Sequence, residues 1–406
     1  MFKNLLNSFW NIFQTFDSYP AFAKVCLSFL FAGLPYGKLQ ATQIEGQVGF
    51  RYGSLQDELP YEERPYLRFG FEHESSDLSK LVRGQFRLSA NQLMNEQEEE
   101  YELRPEELSI HLNHGSSRFS FGLMRVTWGE TFGIPILDIV NVWDESQFIL
   151  ANPAEAKLPS WLFLYEWFGE KSSVQLLISP WNQHRVLEQS IKGEISQPRT
   201  EFGGRFSYLL PGNVDLKLYS FHHESRLPLV KINGLTGEME RVRHYMENSY
   251  GISLSYGLQS WVLRADALSV PEFYLNTAQA SDPQKRERKT YTAGLDYTTD
   301  SQWNFGIQHS GGLLVSPLAT EIQDDGRGLL GYQLMKSWWN DRIKQRLWYF
   351  HLAANHGRWL KLGVDANIGT NASLSLEWDS LQGDKLTAGI ERSSIEHFSA
   401  DIKLFF

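Results

Sequence analysis

From about residue 42 onward, apolar and polar residues alternate in runs of about ten, each closed by a turn, which is the period of an extended strand rather than a helix. The last run shows it most cleanly. Phe398, Ala400, Ile402, Leu404 and Phe406 fall on one face, and Ser399, Asp401 and Lys403 on the other. Leu67, Phe69 and Phe71 alternate with Arg68, Gly70 and Glu72, and Val82, Phe86 and Leu88 with Arg83, Gln85 and Arg87. The same holds for Leu108-Ile110-Leu112, Val214-Leu216-Leu218, Leu360-Leu362-Val364 and Leu374-Leu376-Trp378 with their polar neighbours. In water such faces need a second layer, and the sequence offers no helical one. A closed barrel with lipid outside satisfies the pattern with no further parts.

The connections alternate as well. Tight links fall at Asn113–Ser116, Gly169–Ser172, Pro211–Asn213, Gly257–Gln259, Thr299–Ser301, Asn340–Asp341 and Gly369–Asn371. Longer polar links fall at 54–64, 90–102, 181–199, 223–244, 271–287 and 312–327. Short turns at one end and long loops at the other are the asymmetry of outer-membrane barrels. The expected fold is therefore all-β: a transmembrane antiparallel up-and-down β-barrel of about 18 strands, with 16 and 20 as alternatives. The count treats 381–395 as one external loop.

Residues 1–41 differ from the rest. Lys24 precedes the apolar run Val25–Leu34, and a short polar stretch ends at Ala41, which reads as a secretory signal peptide cleaved after Ala41. The barrel is then 42–406, expected in the bacterial outer membrane. The chain stops on Phe406, and an amphipathic strand ending in Phe resembles the sorting signal read by the barrel-assembly machinery.

Composition agrees with this picture. The hydrophobic share is 42% and no run of about 18 apolar residues follows the leader, which excludes a helical membrane protein but not a barrel. Aromatics reach 14%, as interfacial girdles require. The single cysteine, Cys26, lies in the leader, which removes disulfides, thiolate metal sites and Cys nucleophiles from the mature chain. Without Lys3, Lys24, Lys38 and Asp17, 35 basic residues stand against 47 acidic ones, a net −12 that argues against nucleic acid as a partner. The expected partners are the lipid bilayer, lipopolysaccharide and a polar solute or polysaccharide. A monomer and a homo-oligomer both remain open.

If apolar positions face lipid, their neighbours face the lumen. Before residue 220 these are Arg68, Glu72, Arg83, Arg87, Glu107, Arg118, Arg205, Asp215 and Lys217, mostly basic. After it they are Arg264, Asp266, Asp296, Lys361, Asp365, Glu377, Asp401 and Lys403, mostly acidic. Facing walls of opposite sign would orient polar solutes in a pore; in a filled barrel the same charges would pair. One segment breaks the strand rhythm: Val126–Asp144, continuing to about Ser160, with Gly129, Gly133 and Pro135. It is too apolar for a solvated loop and must bury itself. One reading folds the loop 128–158 inward and sets Trp128, Glu130, Asp138, Asn141 and Asp144 near a constriction, with Arg68, Arg83, Arg87, Arg118 and Arg205 lining the pore. The other makes it a lid on the outer rim.

This segment carries a resemblance. Val126, Trp128, Gly129 and Glu130, followed by Asp138, Val140, Asn141 and Asp144, resemble the central motif of a family of uncharacterised proteobacterial outer-membrane, porin-like barrels, Val-x-Trp-Gly-Glu followed by Asp-x-Val-Asn. Val142-Trp143 stands where that family usually has Pro-Arg. The Asn340-Asp341 turn, Asn355–Gly357 and Gly383-Asp384 fit the same family, and the layout is more distantly similar to alginate-export barrels. The resemblance implies a porin-like channel for a polar solute or polymer. A non-conducting scaffold for an envelope complex is the alternative.

An enzyme is not expected. No Gly-x-Ser-x-Gly, His-Glu-x-x-His or P-loop pattern occurs. His222-His223-Glu224 falls in an expected external loop, and adjacent histidines on a strand point apart. Ser109 and His111 share the lumen face, and hydrogen bonding between them would reopen a hydrolase. No metal site and no cofactor are expected.

Overall fold

A computed structural model describes residues 42–55, 62–75, 80–93, 99–132, 135–142, 157–180, 194–195, 199–226, 229–232, 239–275, 284–315, 328–352, 357–383 and 394–405. Residues 1–41, Asp144 and Phe406 lie outside the described residues. Twenty-one strands follow one another: β1 (Thr42–Leu55), β2 (Glu62–Ser75), β3 (Lys80–Leu93), β4 (Glu99–His114), β5 (Ser117–Met124), β6 (Ser160–Phe168) and β7 (Ser172–Ser179). Next come β8 (Glu194–Ile195), β9 (Glu201–Leu210), β10 (Val214–Glu224), β11 (Leu229–Ile232), β12 (Met239–Arg243), β13 (Met246–Leu258) and β14 (Trp261–Leu275). The last are β15 (Gln284–Thr298), β16 (Trp303–Val315), β17 (Leu329–Trp338), β18 (Ile343–Leu352), β19 (Gly357–Ile368), β20 (Ala372–Gln382) and β21 (Ser394–Phe405).

All but β8, β11 and β12 belong to one 18-stranded antiparallel sheet in which each strand pairs with the next. Pairing of β1 with β21, from Gln47↔Phe405 to Leu55↔His397, closes it into a barrel and leaves no edge. Short turns join the strands at one end, and several use the left-handed backbone that tight hairpins need: Gly115 (φ 58°), Gly212 (φ 85°) and Gly369 (φ 71°). Pro271 falls where the β14–β15 register shifts, a place that tolerates its missing N–H.

The barrel is inverted relative to a soluble protein. Ser253, Asp266, Thr292, Gln308 and Asp379 are buried, while Leu254, Leu263, Ile307, Leu362 and Phe398 on the opposite face are exposed. The alternation thus sends polar side chains inward and apolar ones out, which is stable only with hydrocarbon around the wall. Among the described residues no helix is long and apolar enough to cross a membrane. Aromatic side chains gather near the short-turn ends, where Trp261 meets Tyr297 at 4.4 Å and Trp303 meets Trp338 at 6.4 Å.

The long links 181–199 and 223–244, expected as plain connections, contain structure of their own. β11 pairs antiparallel with β12, and β12 runs parallel to β8, so two consecutive long connections share a small sheet. The strand β10 also reaches Glu224, which places His222 and His223 in the wall and not in a loop.

Candidate functional site

After Met124 the chain does not turn back. Residues 125–132 and 135–142 instead run along the inner face of the barrel, from β5 past β6, β7, β10, β13 and β14. Each anchor has a simple cause. Gly129 takes φ +95°, and a Cβ there would lie 3.1 Å from the Asp266 carboxylate, so a residue with a side chain would meet both strain and crowding. Past that bend, the Glu130 and Thr131 amides donate to Asp266 Oδ2 at 3.1 and 3.2 Å, and the Thr131 hydroxyl donates at 2.8 Å. Ser253 Oγ donates to the other carboxylate oxygen. One inward aspartate on β14 thereby fixes the bend.

Trp128 fills the space behind it. Its indole N–H donates to Gln175 Oε1 at 2.7 Å, and its ring packs on Tyr219 at 5.4 Å and edge-on to Phe221 at 5.6 Å. Leu137, Val140, Leu162, Leu164 and Leu177 complete an apolar cluster inside an otherwise polar barrel. The wall makes room for it: a Cβ on Gly251 would overlap Leu137, and one on Gly306 would stand 3.1 Å from the Phe132 ring. Phe132 carries the contact round to β15 and β16.

The segment is pinned at its ends by Asn141. Its carboxamide oxygen accepts from the Val126 amide at 2.7 Å, and its Nδ2 donates to Met124 O (3.2 Å), Leu158 O (3.0 Å) and Ser160 Oγ (3.2 Å). Asp138 pairs with Lys157, which also donates to Thr127 Oγ1 at 2.8 Å. Arg226 donates to Ile139 O at 2.7 Å and Val140 O at 3.0 Å, while Glu201 holds it at 2.8 Å.

Trp128 (1% exposed), Asp138 (4%) and Asn141 (1%) stand between segment and wall, with their polar groups spent on holding the segment. They position the loop. Glu130 is half-buried and pairs with Lys217, which also meets Asp215 at 3.1 Å. Arg205 lies beside this group, opposite Gln175 and Tyr219 in register. Arg118 is at the short-turn rim, three residues past Gly115, where it donates to Asn113 Oδ1 at 2.9 Å.

The remaining arginines lie on the far side of the barrel. Arg68, Arg87 and Arg104 stand abreast on β2, β3 and β4. Arg83 bonds Glu72 at 2.9 Å, and both side chains stay more than two-fifths exposed on the inner face (44% and 43%). From β18 to β21 the charges interleave. Arg346 meets Asp365 (3.0 Å) and Glu377 (2.9 Å), Lys361 meets Glu377 (3.0 Å) and Asp379 (3.3 Å), and His397 lies 3.6 Å from Asp379. Neighbouring pairs therefore offset much of the basic-against-acidic split expected between two whole walls.

Ser109 and His111 do come together. Ser109 donates to Glu107 at 2.7 Å, its oxygen lies 2.9 Å from His111 Nε2, and His111 Nδ1 lies 2.7 Å from Ser120 Oγ. With the proton on Nε2 all four groups are satisfied. Ser109 has no exposed surface and Ser120 is buried, so neither hydroxyl is presented to an incoming substrate. His222 and His223 diverge as adjacent strand residues must, His222 to Asn248 and His223 to Ser249. Among the described residues no group of three or more His, Cys, Asp or Glu is placed to hold a metal.

Lys157, Arg226, Glu201 and Gln175 had no signal in the sequence. Glycines did offer one. Gly251, Gly294 and Gly306 occupy inward positions of strands that otherwise alternate, and a strand glycine often marks the close approach of another segment.

No family model and no curated protein matches the sequence. Solved structures do match. The chain is similar to Pseudomonas aeruginosa OccK5 (OpdH), at TM-score 0.57 and 8% identity over 91% of this chain and 98% of that one. It is likewise similar to P. aeruginosa OccK8 (OprE), at TM-score 0.56 and 8% identity over 90% and 98%. OccD3 (OpdP) of the same organism gives TM-score 0.54 and 10% identity over 91% and 92%. At such identities the likeness is one of fold: a closed antiparallel β-barrel.

Proposed function

We propose that this chain is a porin-like channel of the bacterial outer membrane that passes a polar solute or polysaccharide. The route runs between segment 125–142 and the wall made by β17–β21 and β1–β4. One observation carries the reading. Arg83 and Glu72 lie on the inner face and yet keep more than two-fifths of their side chains exposed, which calls for water beside them. A lumen packed solid would bury both. Eighteen strands also make a barrel wide enough to leave an aqueous channel. The segment narrows that channel from one side, and its Trp-Gly-Glu motif marks the porin-like family that the sequence resembles. Selection rests on the interleaved charges of β18–β21, with no bond made or broken.

Reconstitution into a planar bilayer tests this. Discrete conductance steps that grow with salt concentration are the expected result. Electrical silence from protein that is folded by its heat-modifiable gel mobility would contradict the channel and favour a scaffold.

A further inference from the structure

The outer face of the barrel carries a groove of about 420 Å³ near the short-turn end of β16–β21. Leu334, Leu347, Leu362, Trp378 and Phe398 form one row of it, aligned by register across β17, β18, β19, β20 and β21. Four inter-strand spacings of about 4.8 Å make that row roughly 19 Å long, the scale of an extended acyl chain. The second row begins with Lys336, followed in register by Gln345, Val364 and Leu376.

Lys336 is the anomaly. It shares the outward face with Tyr332 and Trp338, both exposed there, and a lysine facing hydrocarbon is costly at mid-membrane and tolerated only near the interface. It sits two residues from the end of β17. Its amine donates to Ser301 O in the adjacent turn and lies 5.4 Å from the Trp303 ring centre and 4.8 Å from that of Trp338. Trp338 is itself held by its indole N–H on Gln345 Oε1 at 3.1 Å. The lysine is 9% exposed, so a headgroup would reach its amine from the open edge beside the two indoles, where Ser301 takes one of its three donors. The place thus combines a fixed cation at interfacial depth with an apolar trough leading away from it.

We propose that this groove binds one anionic glycerophospholipid of the leaflet on the short-turn side, with its phosphate on Lys336 and an acyl chain along the Leu334–Phe398 row. The charge decides the occupant. A neutral apolar surface would accept any lipid chain or a second barrel, whereas a lysine held between two indoles at the head of the trough adds a preference for a phosphate-bearing headgroup of net negative charge. The inference rests on the chain spanning a membrane, but not on its conducting.

Native mass spectrometry of protein released from mixed micelles of phosphatidylglycerol and phosphatidylcholine tests it. Folding is checked by heat-modifiable mobility and conductance is recorded in parallel. Wild type is expected to retain one phosphatidylglycerol in preference to phosphatidylcholine. Lys336→Gln should lower that preference about fivefold, the worth of one interfacial lysine, at unchanged conductance. Leu362→Trp, which fills the trough without touching the amine, should reduce retention of both lipids. Equal retention of the two lipids by wild type, or an unchanged preference in Lys336→Gln, would overturn the proposal. So would dimers or trimers that retain no lipid, which would make the occupant a second copy. Loss of conductance with lipid binding intact would instead count against the channel.

Discussion

Replacing residues 131–157 by a short glycine linker is expected to raise single-channel conductance roughly twofold, because an 18-stranded barrel freed of its inward segment reverts to an open aqueous lumen. The wall should survive. Among the described residues, no wall strand includes 131, 132, 135–142 or 157, and β5 and β6 pair directly from Ser117↔Trp167 to Met124↔Ser160. On the wall, the Asp266 carboxylate loses the Thr131 amide and hydroxyl, and it is polar and accepts water in their place. The apolar cluster is the cost: Leu162, Leu164 and Leu177 would lose the cover of Leu137 and Val140. Extraction yield is therefore expected to fall while the heat-modifiable shift persists. Unchanged conductance in the deletion would mean that the segment stands outside the route.

Asn141→Leu should have the next largest effect. The replacement keeps the branched, four-heavy-atom shape, with bulkier methyl ends, and removes four hydrogen bonds. The Val126 N–H and the Met124 and Leu158 carbonyls are then buried without this partner, at about 1–3 kcal/mol each for those that water cannot reach. The barrel should still assemble. Expected instead are new protease cleavages between 125 and 160 and flickering of the conductance, as the two ends of the segment come apart. Asn141→Asp keeps the acceptor for Val126 but loses the three donated bonds, and should fall between the two. A protease pattern identical to wild type in Asn141→Leu would remove Asn141 as the pin.

The barrel was legible because its rule is local. A period of two needs only neighbouring residues, and lipid outside makes it nearly unbroken, as at Phe398, Ile402 and Leu404 against Ser399 and Asp401. The turns were legible for the same reason, since Gly212-Asn213 and Asn340-Asp341 announce their own backbone. The segment 125–142 stood out by its failure to alternate. What each of its residues does was not legible. Asn141 bonds groups 15 to 19 residues away and Asp266 receives amides 135 residues away, and no local pattern encodes such distances. A run of Trp, Glu, Asp and Asn invites the reading of a lined pore, yet burial turned most of those groups toward the wall. A split of lumen charge by chain half leaves pairing out for a related reason. Counting charges by chain half ignores register, and register sets Lys361 and Arg346 beside their acidic partners.

The account stands or falls on which face of the wall meets water. The chain's single cysteine is Cys26, so on a Cys26→Ser background cysteines can be placed singly. Arg83→Cys puts a thiol on the inner face at an exposed position, and Leu254→Cys puts one on the outer face. A charged, membrane-impermeant thiosulfonate added to single channels in a bilayer should cut the current step of Arg83→Cys and leave Leu254→Cys unmodified. Current unchanged through a fully labelled Arg83→Cys, or a step reduced by labelling at Leu254→Cys, would contradict a water-filled lumen behind this wall.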